Sequence, residues 1–139
     1  MKQGGEQGSA AIEAVIAGPL VVLMVLLVVF GGRVALAHQS VQAIAANTAR
    51  AASLARSPAQ ATSAANQAMQ AGFQQSLPCK QHTLSLDLAG FDKPPGTPAS
   101  VTATISCRLT SADLGLPGLP DLQVSSAMTS AVDTYRERR

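Results

Sequence analysis

The sequence predicts an α+β protein: a long N-terminal transmembrane helix with a stem, a second helix, and a small antiparallel sheet with one disulfide. Three observations carry this expectation. Ala14–Gly32 is a run of nineteen residues without a charge, dense in Val and Leu from Leu20 to Phe30. Beyond Cys79 the apolar spacing changes from threes and fours to strict alternation. The only two cysteines, Cys79 and Cys107, both lie well past the apolar run.

At 1.5 Å rise per residue the uncharged run covers about 28 Å, close to a hydrocarbon core of roughly 30 Å. A chain of 139 residues is too small to bury a helix that is apolar all round. Pro19 falls in the second turn of the run, where it would kink a soluble helix but is better tolerated in a membrane helix. A secretory signal peptide is the competing reading. Ala35-Leu36-Ala37 has the small-x-small pattern of a signal peptidase site, with His38 as the new N-terminus. Against it, the run exceeds the roughly 7–15 residues of a signal core, and Glu13 and Arg33 flank it. Lys2 on one side and Arg33 on the other give the positive-inside rule almost no bias.

From Arg33 to Arg56 there is no Gly or Pro and Ala dominates, so the helix is expected to continue. Val34, Ala37, Val41, Ile44, Thr48, Ala51 and Ala55 recur at spacings of three and four, a heptad-like stripe of mostly small side chains. The stripe suits close packing against like neighbours or against the chain's own globular part. Ser57-Pro58 then reads as an N-cap followed by the first helical position. A second helix over Pro58–Gln75 places Ala61, Ala65, Ala68, Met69 and Phe73 on one side, with Gly72 weakening its end.

Thr83–Leu88 and Val101–Cys107 alternate as strands, with Val101, Ala103, Ile105 and Cys107 sharing a face. The connector Gly90–Ser100, with Asp92-Lys93-Pro94-Pro95-Gly96-Thr97-Pro98, reads as turn or loop and not helix. A Pro/Gly-rich loop, Gly115–Pro120, leads to a third candidate strand, Leu122–Thr129. Phe73, Phe91 and Tyr135 are the only aromatics after Arg33, so the core of the roughly 105 remaining residues must be thin. A cysteine pair in such a domain reads as a disulfide in an oxidising compartment, the alternative being two buried thiols. Closing a loop of about 29 residues would stabilise it by roughly 3–4 kcal/mol. The C-terminal part is therefore expected outside the cytoplasm.

The composition excludes several functions. A net charge of +2 is too small for nucleic acid. The basic tail Arg136, Arg138 and Arg139 is a solvated terminus or a contact for anionic lipid or an acidic partner. His38 and His82 have neither a nucleophile nor metal-ligand spacing with the cysteines. Asp87, Asp92, Asp113, Asp121 and Asp133 are scattered and read as surface carboxylates. No catalytic site, cofactor, metal or small-molecule substrate is expected.

Glu13 stands apart, because a carboxylate just inside an apolar span is costly and usually has a job. A headgroup-level surface carboxylate is the plain reading. If Met1–Gly8 is removed, however, Ser9 becomes a free α-amine one helical turn before Glu13. A carboxylate beside an ammonium, in the same chain or in an axially displaced neighbour, neutralises both in a low dielectric. Gly8 suits a protease that needs an extended backbone without a side chain.

Gly8-Ser9-Ala10-Ala11-Ile12-Glu13 followed by Gly18-Pro19-Leu20 resembles the start of type IV prepilins. Within them it resembles the TadE-like pseudopilins, minor pilins of the tight-adherence (Flp-type) pilus system. The Ala-rich stem Ala45–Ala52, the strand ending in Ser106-Cys107 and the loop Leu116–Pro120 are also similar to members of that family. Ala14 departs from it, since pilins of this system often carry an aromatic after the glutamate. The resemblance implies cleavage between Gly8 and Ser9 by a membrane prepilin peptidase, and subunit docking through Glu13. It also implies a cytoplasmic leader, an extracytoplasmic C-terminal domain, and other pilin subunits and assembly-platform proteins as partners. The expected organisation is a leader over 1–8, a transmembrane helix over 9–33, a helical stem over 34–57 and an α+β domain over 58–139. The expected function is that of a minor pilin that assembles into or primes such a pilus. The alternative is a secreted binding module released after Ala37.

Overall fold

A computed structural model describes residues 6–76 and 79–133, with the side chains of the first helix from Ala11 onward. Residues 1–5, Tyr135 and the basic tail lie outside the described residues. The elements are α1 (Glu6–Ser53), α2 (Pro58–Gln75), β1 (Gln81–Asp87), a 3-10 turn (Ala89–Asp92), β2 (Ala99–Leu109) and β3 (Leu122–Val132). The three strands form one antiparallel sheet in the order β1-β2-β3. Both helices lie on the same face of it, α1 against β2 and β3, and α2 beside α1 toward β1.

α1 runs unbroken for 48 residues, about 70 Å, with Pro19 inside it. Its lower half touches nothing: from Ala11 to Val29 every residue is exposed. From Val34 onward the helix turns one side to the sheet, burying Ala37, Val41, Ile44, Ala45, Thr48, Ala49 and Ala52. The expected stripe therefore packs on the chain's own domain. It holds from Ala37 to Thr48, but farther along Ala51 and Ala55 are only half-buried while Ala49 and Ala52 are buried. A straight helix of 3.6 residues per turn drifts by about 20° per heptad from a strict seven-residue stripe, which accounts for the change.

α1 also ends earlier than expected, at Ser53 instead of Arg56. The Ser53 hydroxyl donates back to the Arg50 carbonyl (2.9 Å) and lies 3.0 Å from the Ser130 hydroxyl of β3, fixing the helix end to the sheet. Ser57 caps α2 as the sequence indicates, accepting from the Gln60 amide, with Pro58 as the first helical residue. α2 approaches α1 at Gly72, where a Cβ would lie 2.8 Å from Ile44 Cγ1. Glycine is there for proximity.

The strands extend beyond the expected runs at both ends of β2 and at the end of β3, and β1 begins early enough to include His82. Val101, Ala103, Ile105 and Cys107 are all buried on one face of β2, at 1% exposure or less. The connector after β1 differs from expectation, because Ala89–Asp92 form a 3-10 turn within it. The Asp87 side chain accepts from the Ala89 amide (3.0 Å) and starts this turn, a local competition that Asp offers readily. At Gly90 a Cβ would lie 2.3 Å from the Ser100 carbonyl oxygen, so the turn can press against β2 only with glycine there.

Two apolar clusters result. The lower one joins Ala37, Val41, Ile44 and Met69 to Ile105, Leu109, Leu114 and Val124, with Phe30 and Val34 against it. The upper one joins Ala52, Ala61 and Ala65 to Phe91, Val101 and Val132. Leu84 packs against both. Cys79 and Cys107 are bonded, with Cα atoms 5.7 Å apart, and tie the segment before β1 to β2. Thr48 is fully buried near the middle of the α1 stripe and its hydroxyl has no hydrogen-bond partner.

Two outcomes follow for urea unfolding of the full chain in detergent micelles. Replacing both cysteines by serine is expected to lower the unfolding free energy by roughly 3–4 kcal/mol. Thr48→Val is expected to raise it by about 1 kcal/mol, since the change removes an unsatisfied buried hydroxyl at almost constant shape.

Candidate functional site

α1 presents its chemistry in three stretches. The first is the N-terminal turn. Glu6–Ala10 belong to α1, so the Gly8-Ser9 bond lies within helical backbone. Glu13 follows one turn after Ser9, about 6 Å along the axis. Its side chain is exposed and makes no hydrogen bond or ion pair with any described residue.

The second stretch is the apolar shaft. Ile12, Val15, Ile16 and every Val, Leu and Met from Leu20 to Val29 are exposed by between 43% and 73%. The helix contains an 18-residue window of mean hydropathy 2.8, none of it buried. So wide an apolar surface, on all sides of a helix, needs a solvent other than water. By length and composition α1 can cross a membrane.

The third stretch is where shaft meets domain. Arg33, the first charge after the run, donates from Nη1 to the Asp113 carbonyl (3.2 Å). That carbonyl belongs to a single helical turn after β2 that is capped at both ends. Thr110 and Asp113 bond reciprocally, the Asp113 amide donating to the Thr110 hydroxyl (3.3 Å) and that hydroxyl donating to the Asp113 carboxylate. At the far end the amides of Gly115 and Leu116 donate to the carbonyls of Ala112 and Ser111, both at 3.0 Å. Gly115 there has φ +86°, the left-handed residue that this C-terminal cap requires. A Cβ on it would meet the Arg33 guanidinium at 3.3 Å. Arg33, Leu36, Ala37, Leu109, Asp113 and Leu114 line a small cavity of about 120 Å³ beneath this turn.

The sequence placed Ser9 and Glu13 one helical turn apart, with Gly8 ending the leader ahead of the helix, but missed Arg33 as a bridge between shaft and domain. Thr110-x-x-Asp113 followed by Gly115 was the available signal, and the Pro/Gly-rich loop after it masked the turn. Ala37, after which a signal peptidase would cut, is 1% exposed and sits in the lower cluster. His38 is exposed, whereas His82 stacks on Phe73 with ring centroids 4.7 Å apart, joining α2 to β1. Among the described residues no three His, Cys, Asp or Glu side chains gather as a metal site would need.

Residues 8–50 match the TadE-like protein family. The match begins at Gly8, takes in Ser9, Glu13 and the whole apolar shaft, and ends at Arg50 on the buried part of α1. Ser106-Cys107 and Leu116–Pro120 fall outside it. No curated protein and no solved structure matches the chain. Over those 43 of 139 residues the chain is similar to TadE-like, pilin-like proteins of the tight-adherence pilus system, and α1 is long and apolar enough to anchor it in a membrane. That family is structural in character rather than catalytic, and the same two features point to the membrane and to pilin subunits as partners.

Gly115→Ala places a side chain in left-handed backbone and against Arg33 at once. It is expected to destabilise the turn by about 1–2 kcal/mol. The readout is faster amide exchange at Leu114 and Leu116, with β2 exchange unchanged.

Proposed function

We propose that this chain is a minor pilin, or pseudopilin, that assembles into or primes a tight-adherence pilus after a prepilin peptidase cuts between Gly8 and Ser9. The observation that carries the reading is the TadE-like match over residues 8–50, which spans the cleavage motif, Glu13 and the shaft together. In this account residues 1–8 are a cytoplasmic leader and 9–33 a single membrane span. Residues 34–57 are the stem, and 58–139 an extracytoplasmic domain whose disulfide forms in an oxidising compartment. Gly8 lowers the cost of unwinding α1 at the scissile bond, since glycine in a helix interior costs roughly 0.5–1 kcal/mol relative to alanine.

Cleavage creates the chemistry of assembly. The α-amine of Ser9 is an ammonium, and the Glu13 carboxylate lies about one turn away on the same helix. A neighbouring subunit displaced along the filament axis can place its Ser9 ammonium on this Glu13. Both charges are then neutralised in an apolar bundle where either alone is costly. The shaft that lipid solvates before assembly becomes the filament core after it. No catalysis, nucleic acid or small-molecule substrate enters this function. The burial of Ala37 favours it over a soluble module released after that residue, because release would strip Phe30, Val34 and Ala37 from the lower cluster.

The test is the N-terminal residue of the chain recovered from its native cell, by terminal sequencing or intact mass. Ser9 is the expected start. His38 would establish the released module instead, and an intact Met1 would leave a membrane anchor that is not processed as a prepilin. Glu13→Ala is expected to leave cleavage and membrane insertion intact and to abolish incorporation into pili, read by immunoblot of sheared filaments. Normal incorporation would remove the docking role of Glu13.

A further inference from the structure

The β2–β3 connection sits at a defined depth along α1. β2 runs toward the shaft and β3 away from it, and Leu109 pairs with Leu122 where the sheet comes nearest the shaft. Phe30, inside the uncharged run, packs against the lower cluster that includes Leu109 and Leu114. Arg33 holds the Asp113 carbonyl, and Gly115 lies against its guanidinium. The connection therefore stands beside the last turns of the apolar run, at the depth where hydrocarbon gives way to headgroups if α1 spans a bilayer.

Its chemistry fits that depth. Gly115–Pro120 carries no charge; Leu119 is 50% exposed, and Leu36 on the adjoining helical turn is 60% exposed. The nearby carboxylates have partners of their own. The Asp113 carboxylate is bonded to Thr110, and Asp121 pairs with Lys80 at 3.8 Å. Pro117 and Pro120 restrict the backbone on either side of Gly118 and Leu119, which lowers the cost of ordering the segment when it presents Leu119. An uncharged, rigid apolar tip flanked by polar groups, with an arginine at the same level, matches the layering of a membrane interface.

We propose that the Leu116–Pro120 loop is a docking surface for the lipid bilayer. Leu119 enters the boundary between headgroups and acyl chains, and Arg33 lies at phosphate level. The occupant is lipid because the chain's own shaft brings the bilayer surface to this loop, whatever else the domain meets. The loop thereby holds the domain upright on the membrane until the subunit leaves it. The inference rests on the reading of α1 as a membrane span.

The experiment uses the full chain in vesicles of phosphatidylcholine and phosphatidylglycerol. The native cysteines are bonded to each other, so Leu119→Cys, Val25→Cys and Ala131→Cys each offer one thiol for the same environment-sensitive fluorophore. Each is quenched in turn by a spin-labelled lipid and by aqueous iodide. Lipid quenching at Leu119 is expected to exceed that at Ala131, on the distal end of β3, several-fold and to approach that at Val25. A label at exposed Pro117 repeats the reading should the Leu119 label disturb the turn. Leu119 and Pro117 behaving like Ala131 while Val25 is quenched by lipid would overturn the docking surface alone. Val25 behaving like Ala131 would overturn the membrane span, and the docking surface with it.

Discussion

The inner stripe of α1, from Ala37 to Ala52, packs on β2 and β3 and holds the soluble half of this chain together. Because α1 continues through Gly31, Gly32 and Arg33 without a break, that packing also fixes the domain to the apolar shaft. One helix thus meets two solvents. Its lower half needs hydrocarbon on every side, and its upper half needs a sheet on one side and water on the other. The small size of the stripe residues lets the backbones approach closely, at the expense of burial per residue. Few large side chains contribute: the largest fully buried ones are Ile105, Leu109, Val101, Thr48 and Cys107. A core this thin gains much from the Cys79–Cys107 link, which acts on the unfolded chain and not through packing.

The junction at Arg33 shows how the two halves are kept in register. A guanidinium is well suited to it, because it stays charged, reaches back along the helix, and carries five donors to satisfy carbonyls. The Asp113 carbonyl it meets sits in a turn closed by Thr110 at one end and Gly115 at the other. Phe30 below and Leu114 beside it complete an apolar seal between shaft and sheet.

Much of this was legible in the sequence, for identifiable reasons. The nineteen uncharged residues, the Ser57-Pro58 cap and the alternation of Val101–Cys107 are strong local signals, and each element formed where they indicated. The disulfide followed from two cysteines in a domain with little else to hold it. What was not legible depended on tertiary contact. The stripe drifts because a straight helix of 3.6 residues per turn does not keep a heptad face turned to the sheet over its whole length. The 3-10 turn at Ala89–Asp92 arose from one Asp side chain and from a close approach that only Gly90 permits. Arg33 looked like a flanking charge until the β2–β3 turn was beside it. Gly8, Ser9 and Glu13 are different again, because the partners proposed for them lie outside this chain, so the chain alone gives only their positions.

The central physical claim is that α1 is a single helix across the boundary between shaft and domain. It is tested most directly by the distance between spin labels at Val22 and Ala46, both exposed, in the full chain in lipid nanodiscs. Twenty-four residues of unbroken helix separate these positions by about 36 Å, and the account expects one narrow distribution near that value. A broad distribution, or a mean well below it, would place a hinge at Gly31-Gly32 and contradict the account.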